Sequence, residues 1–361
     1  MKVVIAGGGT GGHLFPGIAV AEELIARGHQ VRFVGTARGI EARICPAEGY
    51  ALDLIDVGGL KGGGIAGLVK GSLRVPRALV QSRKILRREK PQLVIGVGGY
   101  ASGPLVMAAA LSGIPTAILE QNSVPGVTNR MLGKLVRRVF GAFESARRFF
   151  PAKKYELVGN PVRKKVRERF GSASVGVRNR LLVVGGSQGA HAVNELVAQA
   201  MGLLGKDAPP ITHQTGAADR ESIGEIYRAS GVSAEVRDFI DDMASAYSSA
   251  ALVVARAGAS TLAELTALGL PSILIPFPFA ADDHQTVNAQ ELEAAGAAKV
   301  LVQSKTNANE VADQIRTLFA NDALRTKMSN AARSLGRPNA HVTIVDALEQ
   351  LGSARSLPEK I

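Results

Sequence analysis

Two short apolar runs lead straight into clusters of glycine, and these clusters carry the clearest chemical signal in the sequence. Residues 2–6 run into Gly7-Gly8-Gly9-Thr10-Gly11-Gly12-His13, and residues 181–184 run into Gly185-Gly186-Ser187-Gln188-Gly189. Glycine lets backbone N–H groups approach an anion, and the first N–H groups of a helix have no partner within it. Each cluster is therefore a candidate phosphate cradle. The first has dinucleotide-fingerprint spacing, but that fingerprint also needs an acid at the end of the second strand to hold a ribose. The second strand candidate ends Phe33-Val34-Gly35-Thr36, with no Asp or Glu, which argues against a dinucleotide. No G-x-x-x-x-G-K-[ST] run occurs, which argues against a P-loop nucleotidase. A tight turn explains either cluster alone, whereas two at equivalent places point to a shared ligand cleft.

The elements that must position these clusters alternate. Strand candidates fall at 2–6, 31–35, 51–55, 93–97, 116–120, 137–141 and 155–158, with helical stretches such as Ile18–Arg27 and Ser102–Leu111 between them. The pattern restarts at 181–184 and continues through 211–214, 234–237, 251–254, 272–275 and 298–302. Short apolar strands alternating with helices predict parallel sheets covered on both faces. The fold class is α/β: two Rossmann-like domains with parallel sheets facing a cleft. Gly159-Asn160-Pro161-Val162-Arg163 is a breaker, so the first domain is read as 1–162 and the second as 163–340. A C-terminal helix, within 341–361, is expected to pack back on the first domain.

Composition narrows the class. The chain has 361 residues, 46% of them hydrophobic, with 4% aromatics and no Trp, which suits packed cores better than a stacking surface for single-stranded nucleic acid. A single cysteine, Cys45, excludes an internal disulfide and a cysteine metal cluster. The opening residues read as a buried strand and not as a signal peptide. The longest apolar stretch, Pro104 to Leu119, is broken by Ser112, Gly113 and Pro115, so it reads as helix, turn and strand and not as a span of about 20 residues. A cytoplasmic protein is expected. The charge is lopsided: residues 1–170 hold 27 Lys and Arg against 11 Asp and Glu, and residues 171–361 hold 16 against 20. A basic first half predicts a polyanionic partner, either an anionic membrane or nucleic acid.

Longer blocks sharpen the reading. The stretch from Gly8 through Gly17, Gly98-Gly99-Tyr100-Ala101-Ser102-Gly103-Pro104, Glu120-Gln121-Asn122 and the Gly159–Arg163 breaker are followed by Gly185–Ala190, Phe239–Met243, Arg256–Glu264 and Asp283–Ala289. In this order they closely resemble the MurG family over nearly the whole chain. The resemblance implies an inverting transferase of the GT-B type. It moves N-acetylglucosamine from UDP-N-acetylglucosamine to the C4 hydroxyl of N-acetylmuramoyl-pentapeptide on undecaprenyl diphosphate, for peptidoglycan. Two departures stand out: Leu119 where the family often has His, and Ala257 where it often has Ser.

The resemblance assigns the site residue by residue. Thr10, Gly11, Gly12, Asn122, Arg163, Ser187, Ile240, Ser260, Thr261, Glu264 and Gln285 are implied to bind the donor. Among them Ser187 and Arg163 suit the diphosphate, Ile240 borders the uracil, Glu264 accepts from ribose hydroxyls, and Gln285 with Asn122 reads the sugar. Gly9, Thr10, Gly11, Gly12 and His13 are implied to take the acceptor diphosphate. His13 titrates near neutral pH and is the catalytic candidate; its residue type leaves both a base role and a diphosphate role open. No Asp-x-Asp motif occurs, so no metal ligands and no required cofactor are nominated, and stimulation by a divalent cation stays open.

Residues 61–90 interleave nine Lys and Arg with apolar residues against the single acid Glu89. A patch of Leu68, Lys70, Arg74, Arg77 and Leu79 is expected to meet an anionic bilayer, with Pro76 dividing two short helices. The protein is therefore placed at the cytoplasmic face of the inner membrane as a peripheral enzyme, with cell-wall and division proteins as further partners. The alternatives are a GT-B transferase for another sugar or acceptor and, in a different class, a nucleic-acid-binding protein, which no recognition motif supports.

Overall fold

The computed structural model describes residues 1–57, 64–170, 178–185 and 189–353, with the side chains of 64–75 and 169–170 outside the description. The chain divides into two compact units. One holds residues 1–163 with the C-terminal segment from Asn339, and the other holds residues 164–338.

Among the described residues the first unit is a seven-stranded parallel sheet. Its strands are β1 (Lys2–Ala6), β2 (Gln30–Gly35), β3 (Leu52–Leu54), β4 (Leu93–Gly96), β5 (Thr116–Glu120), β6 (Arg138–Gly141) and β7 (Tyr155–Leu157). They lie in the order β3-β2-β1-β4-β5-β6-β7, with Val3 beside Val31 and Leu93 in the register. The connecting helices are α1 (Gly11–Ala26), α2 (Glu41–Ala47), α3 (Gly64–Glu89), α4 (Ser102–Leu111) and α5 (Val127–Leu135). Alternation along a strand sends neighbours to opposite faces. Val3 and Ile5 join one core with Leu14, Val20 and Leu24 of α1, while Val4 and Ala6 join the other with Ile85, Leu105 and Leu132 of α3, α4 and α5.

Pro76 does not divide α3. The helix runs through it from Gly64 to Glu89. An interior proline removes one backbone hydrogen bond. The turns after it are held by Ala78, Ser82, Ile85 and Leu86, all buried.

Among the described residues the second unit is a six-stranded parallel sheet. It is built from α6 (Lys164–Phe170), β8 (Arg180–Val184), α7 (His191–Leu204), β9 (Ile211–Gln214), α8 (Arg220–Ala229), β10 (Ala234–Arg237), α9 (Met243–Ser249) and β11 (Ala250–Ala255). Then follow α10 (Ala259–Leu268), β12 (Ser272–Leu274), α11 (His284–Ala294), β13 (Ala298–Val300), α12 (Ala308–Ala320) and α13 (Asp322–Leu335). The strand order is β10-β9-β8-β11-β12-β13. Every strand overlaps a sequence candidate, because apolar runs bounded by glycine and polar turns are a local signal.

The last helix, α14 (Ala340–Ser353), lies on α1 in the first unit. Ile344, Val345, Leu348 and Leu351 enter the core that holds Leu24, and Arg27 reaches Asp346 and Glu349 at 2.6 and 2.9 Å. Leu348 is wholly buried. Leu348→Ala should destabilise the first unit by about 2–5 kcal/mol, the cost of a cavity in a packed core. Urea unfolding followed by circular dichroism checks this; an unchanged midpoint would show that α14 is not a structural part of the unit.

Candidate functional site

Each sheet reverses its direction of winding at one place, and open parallel sheets bind ligands in the crevice beyond the carboxyl ends of the strands there. In the first unit the reversal lies between β1 and β4. The loops that leave these strands meet closely. Gly7, Gly8 and Gly9 have φ of +137°, +137° and +84°, and Gly98 and Gly99 +93° and +80°. The Gly8 N–H donates to Gly98 O at 3.1 Å. A β-carbon on Gly7 would lie 2.1 Å from Gly98 O, and one on Gly99 2.3 Å from Gly8 O. Only glycine fits both the conformation and the contact.

Helix α1 begins just beyond, at Gly11, with Thr10 as its extended N-cap. The Thr10 side chain makes no capping hydrogen bond among the described residues, so the first N–H groups belong to the anion-binding end of a helix. The Gly9 N–H is directed elsewhere: it donates to Glu41 Oε2 at 2.6 Å. This departs from the expectation that Gly9 offers its N–H to a diphosphate, and the donors left to that role are those of the helix start.

His13 stands half-buried in the first turn of α1. Its Nδ1 lies 3.3 Å from Gln121 Oε1, and the Gln121 amide donates to Val97 O at 3.0 Å. That donation fixes which end of Gln121 faces the ring. The facing oxygen can only accept, so Nδ1 carries the proton of the neutral ring and Nε2 is the basic nitrogen.

Glu120, at the end of β5, is 3% exposed. Its oxygens accept from the Asn122 N–H at 3.0 Å and the Asn129 amide at 2.8 Å. Burial pushes its carboxyl up to about 7, against those hydrogen bonds. The Asn122 N–H bond holds the backbone of Asn122 against Glu120. Arg163 is half-buried, its guanidinium 5.6 Å from the centre of the Phe15 ring.

In the second unit the reversal lies between β8 and β11. Ser187 falls outside the described residues. The loop's far end is described: a β-carbon on Gly189, at φ +75°, would lie 2.3 Å from Thr215 O. A buried polar network holds that neighbour. Asn194 donates to Thr215 O at 2.8 Å and to Asp219 at 2.7 Å. Its oxygen faces His213 Nε2 at 3.1 Å, and Tyr227 faces His213 Nδ1 at 2.7 Å. Burial lowers His213 to about 3, so the ring is neutral. Nε2 then donates to Asn194, and Nδ1 accepts from the Tyr227 hydroxyl.

Across the reversal, Gly258 is the N-cap of α10 and makes no side-chain capping bond. Ser260 and Thr261 are in its first turn, and the Ser260 hydroxyl is buried with no hydrogen-bond partner among the described residues, an arrangement that folded proteins seldom keep without use. Glu264, one turn on and 4% exposed, accepts from the Tyr247 hydroxyl at 2.9 Å. Ile240 is buried. Gln285, in the first turn of α11, accepts the Phe277 N–H at 3.0 Å. Asp282 and Asp283 just before it have φ of +52° and +51°, a left-handed pair that non-glycine residues rarely adopt.

Thr10 and Asn122 thus lie in loops on the carboxyl side of the first sheet, and Gly11, Gly12 and His13 start α1 there, with Arg163 beside Phe15. In the second unit Ile240 lies in such a loop, Ser260, Thr261 and Glu264 lie in the first turns of α10, and Gln285 lies in the first turn of α11. The side chains of Leu68, Lys70 and Arg74 lie outside the described residues. Arg77 is exposed, but Leu79 is half-buried against the core of α3, α4 and α5 and cannot present its whole side chain to a bilayer; the next residue, Val80, is 65% exposed. Sequence reading missed Glu41, Gln121, Asn194, His213 and Tyr247, whose partners include residues 14 to 108 positions away. Among the described residues no three His, Cys, Asp or Glu side chains group to hold a metal ion, and no helix is long and apolar enough to cross a membrane.

Comparison with known proteins identifies the family. Residues 3–141 match the glycosyltransferase family 28 N-terminal domain, and residues 180–344 match the C-terminal domain of that family. The UDP-N-acetylglucosamine–N-acetylmuramyl-(pentapeptide) pyrophosphoryl-undecaprenol N-acetylglucosamine transferase of Myxococcus xanthus is 52% identical over 97% of this chain and 93% of its own. The protein of the same name from Syntrophus aciditrophicus is 48% identical over 96% and 98%. The crystal structure of Acinetobacter baumannii MurG superposes with a TM-score of 0.81 at 34% identity, covering 97% of this chain and 99% of that one. Matched along both units in sequence and in fold, the chain belongs to the MurG family, within glycosyltransferase family 28.

Proposed function

We infer that this chain is a UDP-N-acetylglucosamine-dependent glycosyltransferase of peptidoglycan synthesis. It transfers N-acetylglucosamine to the C4 hydroxyl of undecaprenyl-diphosphate-linked N-acetylmuramoyl-pentapeptide, with inversion at the sugar. The observation that carries this is 52% identity across 97% of the chain to a protein named for that transfer. The test is a transfer assay with labelled UDP-sugars and a short-chain lipid-linked acceptor. Product should form with UDP-N-acetylglucosamine, and transfer only from a different UDP-sugar would contradict the reading.

Inversion takes one in-line displacement through an oxocarbenium-like state. The acceptor hydroxyl forms the new bond to C1 as the bond to UDP breaks, and its proton needs a base. His13 supplies a neutral ring whose basic nitrogen is Nε2, set by Gln121. The N–H groups that start α1 take the acceptor diphosphate. On the donor side Glu264 accepts from the ribose, the Ser260 and Thr261 hydroxyls with the second glycine cluster receive the leaving diphosphate, and Gln285 reads the sugar. Charge on the leaving group is met by backbone and hydroxyl donors, so no cofactor is required; a divalent cation would add to the same stabilisation.

An undecaprenyl chain stays in the bilayer, so its sugar end must be met at the cytoplasmic membrane surface, and a peripheral location follows. Among the described residues the support is an outer face of the first unit that is both basic and apolar. On α3, Arg77, Val80, Arg83, Lys84 and Arg87 are exposed. On α5, Val127, Met131 and Leu135 are exposed at four-residue spacing beside Lys134. Apolar side chains at helical spacing among cations suit an anionic interface, and each cation contributes on the order of 1 kcal/mol there, screened by salt.

Three outcomes follow. Glu264→Ala should weaken UDP binding by about 1–3 kcal/mol in calorimetry, the scale of charge-assisted hydrogen bonds; an unchanged affinity in folded protein would remove Glu264 from the donor site. His13→Ala should lower turnover by about 100-fold or more at saturating acceptor while donor affinity holds; near wild-type turnover would end both roles given to His13. In vesicle flotation the protein should bind anionic lipid more than neutral lipid, and Val80→Glu with Met131→Glu should weaken that binding. Equal binding to both lipids, unchanged in the variant, would rule out this face.

A further inference from the structure

The end of β2 offers no acid in the sequence, yet the structure places one there. Glu41, the first residue of α2, is 1% exposed. Its Oε1 accepts from the Thr36 N–H at 2.8 Å and the Thr36 hydroxyl at 3.0 Å, and its Oε2 accepts from the Gly9 N–H at 2.6 Å. The backbone is cleared around it on three sides. A β-carbon on Gly8, Gly35 or Gly39 would lie 2.3, 2.3 or 2.1 Å from the Glu41 side chain. A dinucleotide-binding fold keeps an acid at this strand end for a ribose; here both oxygens are engaged by the protein's own loops.

We propose that Glu41 is the positioning residue of the first glycine loop: its carboxylate holds Gly9 in place and so sets the direction of the α1 N–H groups and of His13 toward the lipid-linked acceptor. This rests on the reading of that loop as the acceptor side. Three consecutive glycines at positive φ have many conformations open to them, and ordering them on binding would weaken affinity. The loop is tied at Gly8 to Gly98 O and at Gly9 to a carboxylate whose hydrogen bond is charge-assisted. Immediately after this second tie come Thr10 and the helix start, so the tie fixes the loop before the acceptor arrives. Glu41 itself is buried and touches no substrate.

Glu41→Gln keeps the shape and breaks the pattern. An amide has one accepting oxygen, so either the Gly9 N–H or the Thr36 N–H meets an NH2 group whichever way it turns. The acceptor KM should rise, or kcat fall, so that kcat/KM for the acceptor drops about tenfold or more. The affinity for UDP by calorimetry should stay within about twofold, at a binding stoichiometry near one, because the second unit is untouched. Acceptor kinetics within about twofold of wild type would overturn the proposal. A parallel fall of acceptor kinetics and UDP stoichiometry would reduce Glu41 to a structural residue and overturn it too. A change in donor KM alone would overturn the acceptor-side reading of the loop, and the proposal with it. If Glu41→Gln gives no folded protein, Thr36→Val carries the same test. It removes the hydroxyl bond to Oε1, and should lower acceptor kcat/KM about threefold with UDP binding intact; no change in either would overturn the proposal.

Discussion

Between β1 and β4 two loops approach so closely that neither has space for a β-carbon. Gly7 faces Gly98 O and Gly99 faces Gly8 O at separations that only hydrogen atoms tolerate. The positive φ values on both sides are the backbone's means of making that approach. This contact follows from the strand order, which reverses there and opens a crevice. It also has a chemical consequence. With β-carbons excluded at these glycines, close backbone lines the crevice, and the His13 ring reaches Gly98 from α1. A substitution at Gly7, Gly98 or Gly99 would therefore move the loop as well as fill space, which ties the chemistry of the site to the packing of the sheet.

The second unit meets the same constraint by other means. Its glycine cluster also lies at a reversal, and Gly189 also faces a carbonyl, that of Thr215. Here the opposing carbonyl is held by Asn194, which is oriented in turn by His213 and Tyr227 inside the core. Burying four polar groups is costly unless each is paired. They are paired, and the network makes the position of one carbonyl depend on a histidine kept neutral by burial. Both units thus place glycine backbone against a fixed carbonyl beside the start of a helix, an arrangement suited to phosphorylated ligands.

Much of this was legible in sequence because the signals are local. Apolar runs mark the strands, glycine clusters mark the turns after β1 and β8, and the position of His13 follows from its place after Gly12. What stayed hidden depends on contacts between distant segments. Glu41 lies 32 residues from Gly9 and Gln121 lies 108 from His13, so no spacing rule joins them. A trace existed in Gly35 and Gly39, which flank Thr36 and Glu41 without any turn that needs both, and which make sense once a carboxylate must fit between them. Leu79 illustrates the opposite failure. An apolar residue among cations reads as a membrane contact, yet one position decides between the core and the surface, and Leu79 and Val80 divide the two.

The proposed function divides the labour between the two units and gives the nucleotide to the carboxyl side of the second sheet. Hydrogen–deuterium exchange with saturating UDP tests it most directly, since it reports backbone ordering segment by segment. Exchange should slow in peptides covering Phe239–Met243 and Gly258–Leu265, with the β1 and β4 segments of the first unit unchanged. Protection confined to peptides of the first unit, with those of the second unit exchanging as in the free protein, would contradict it.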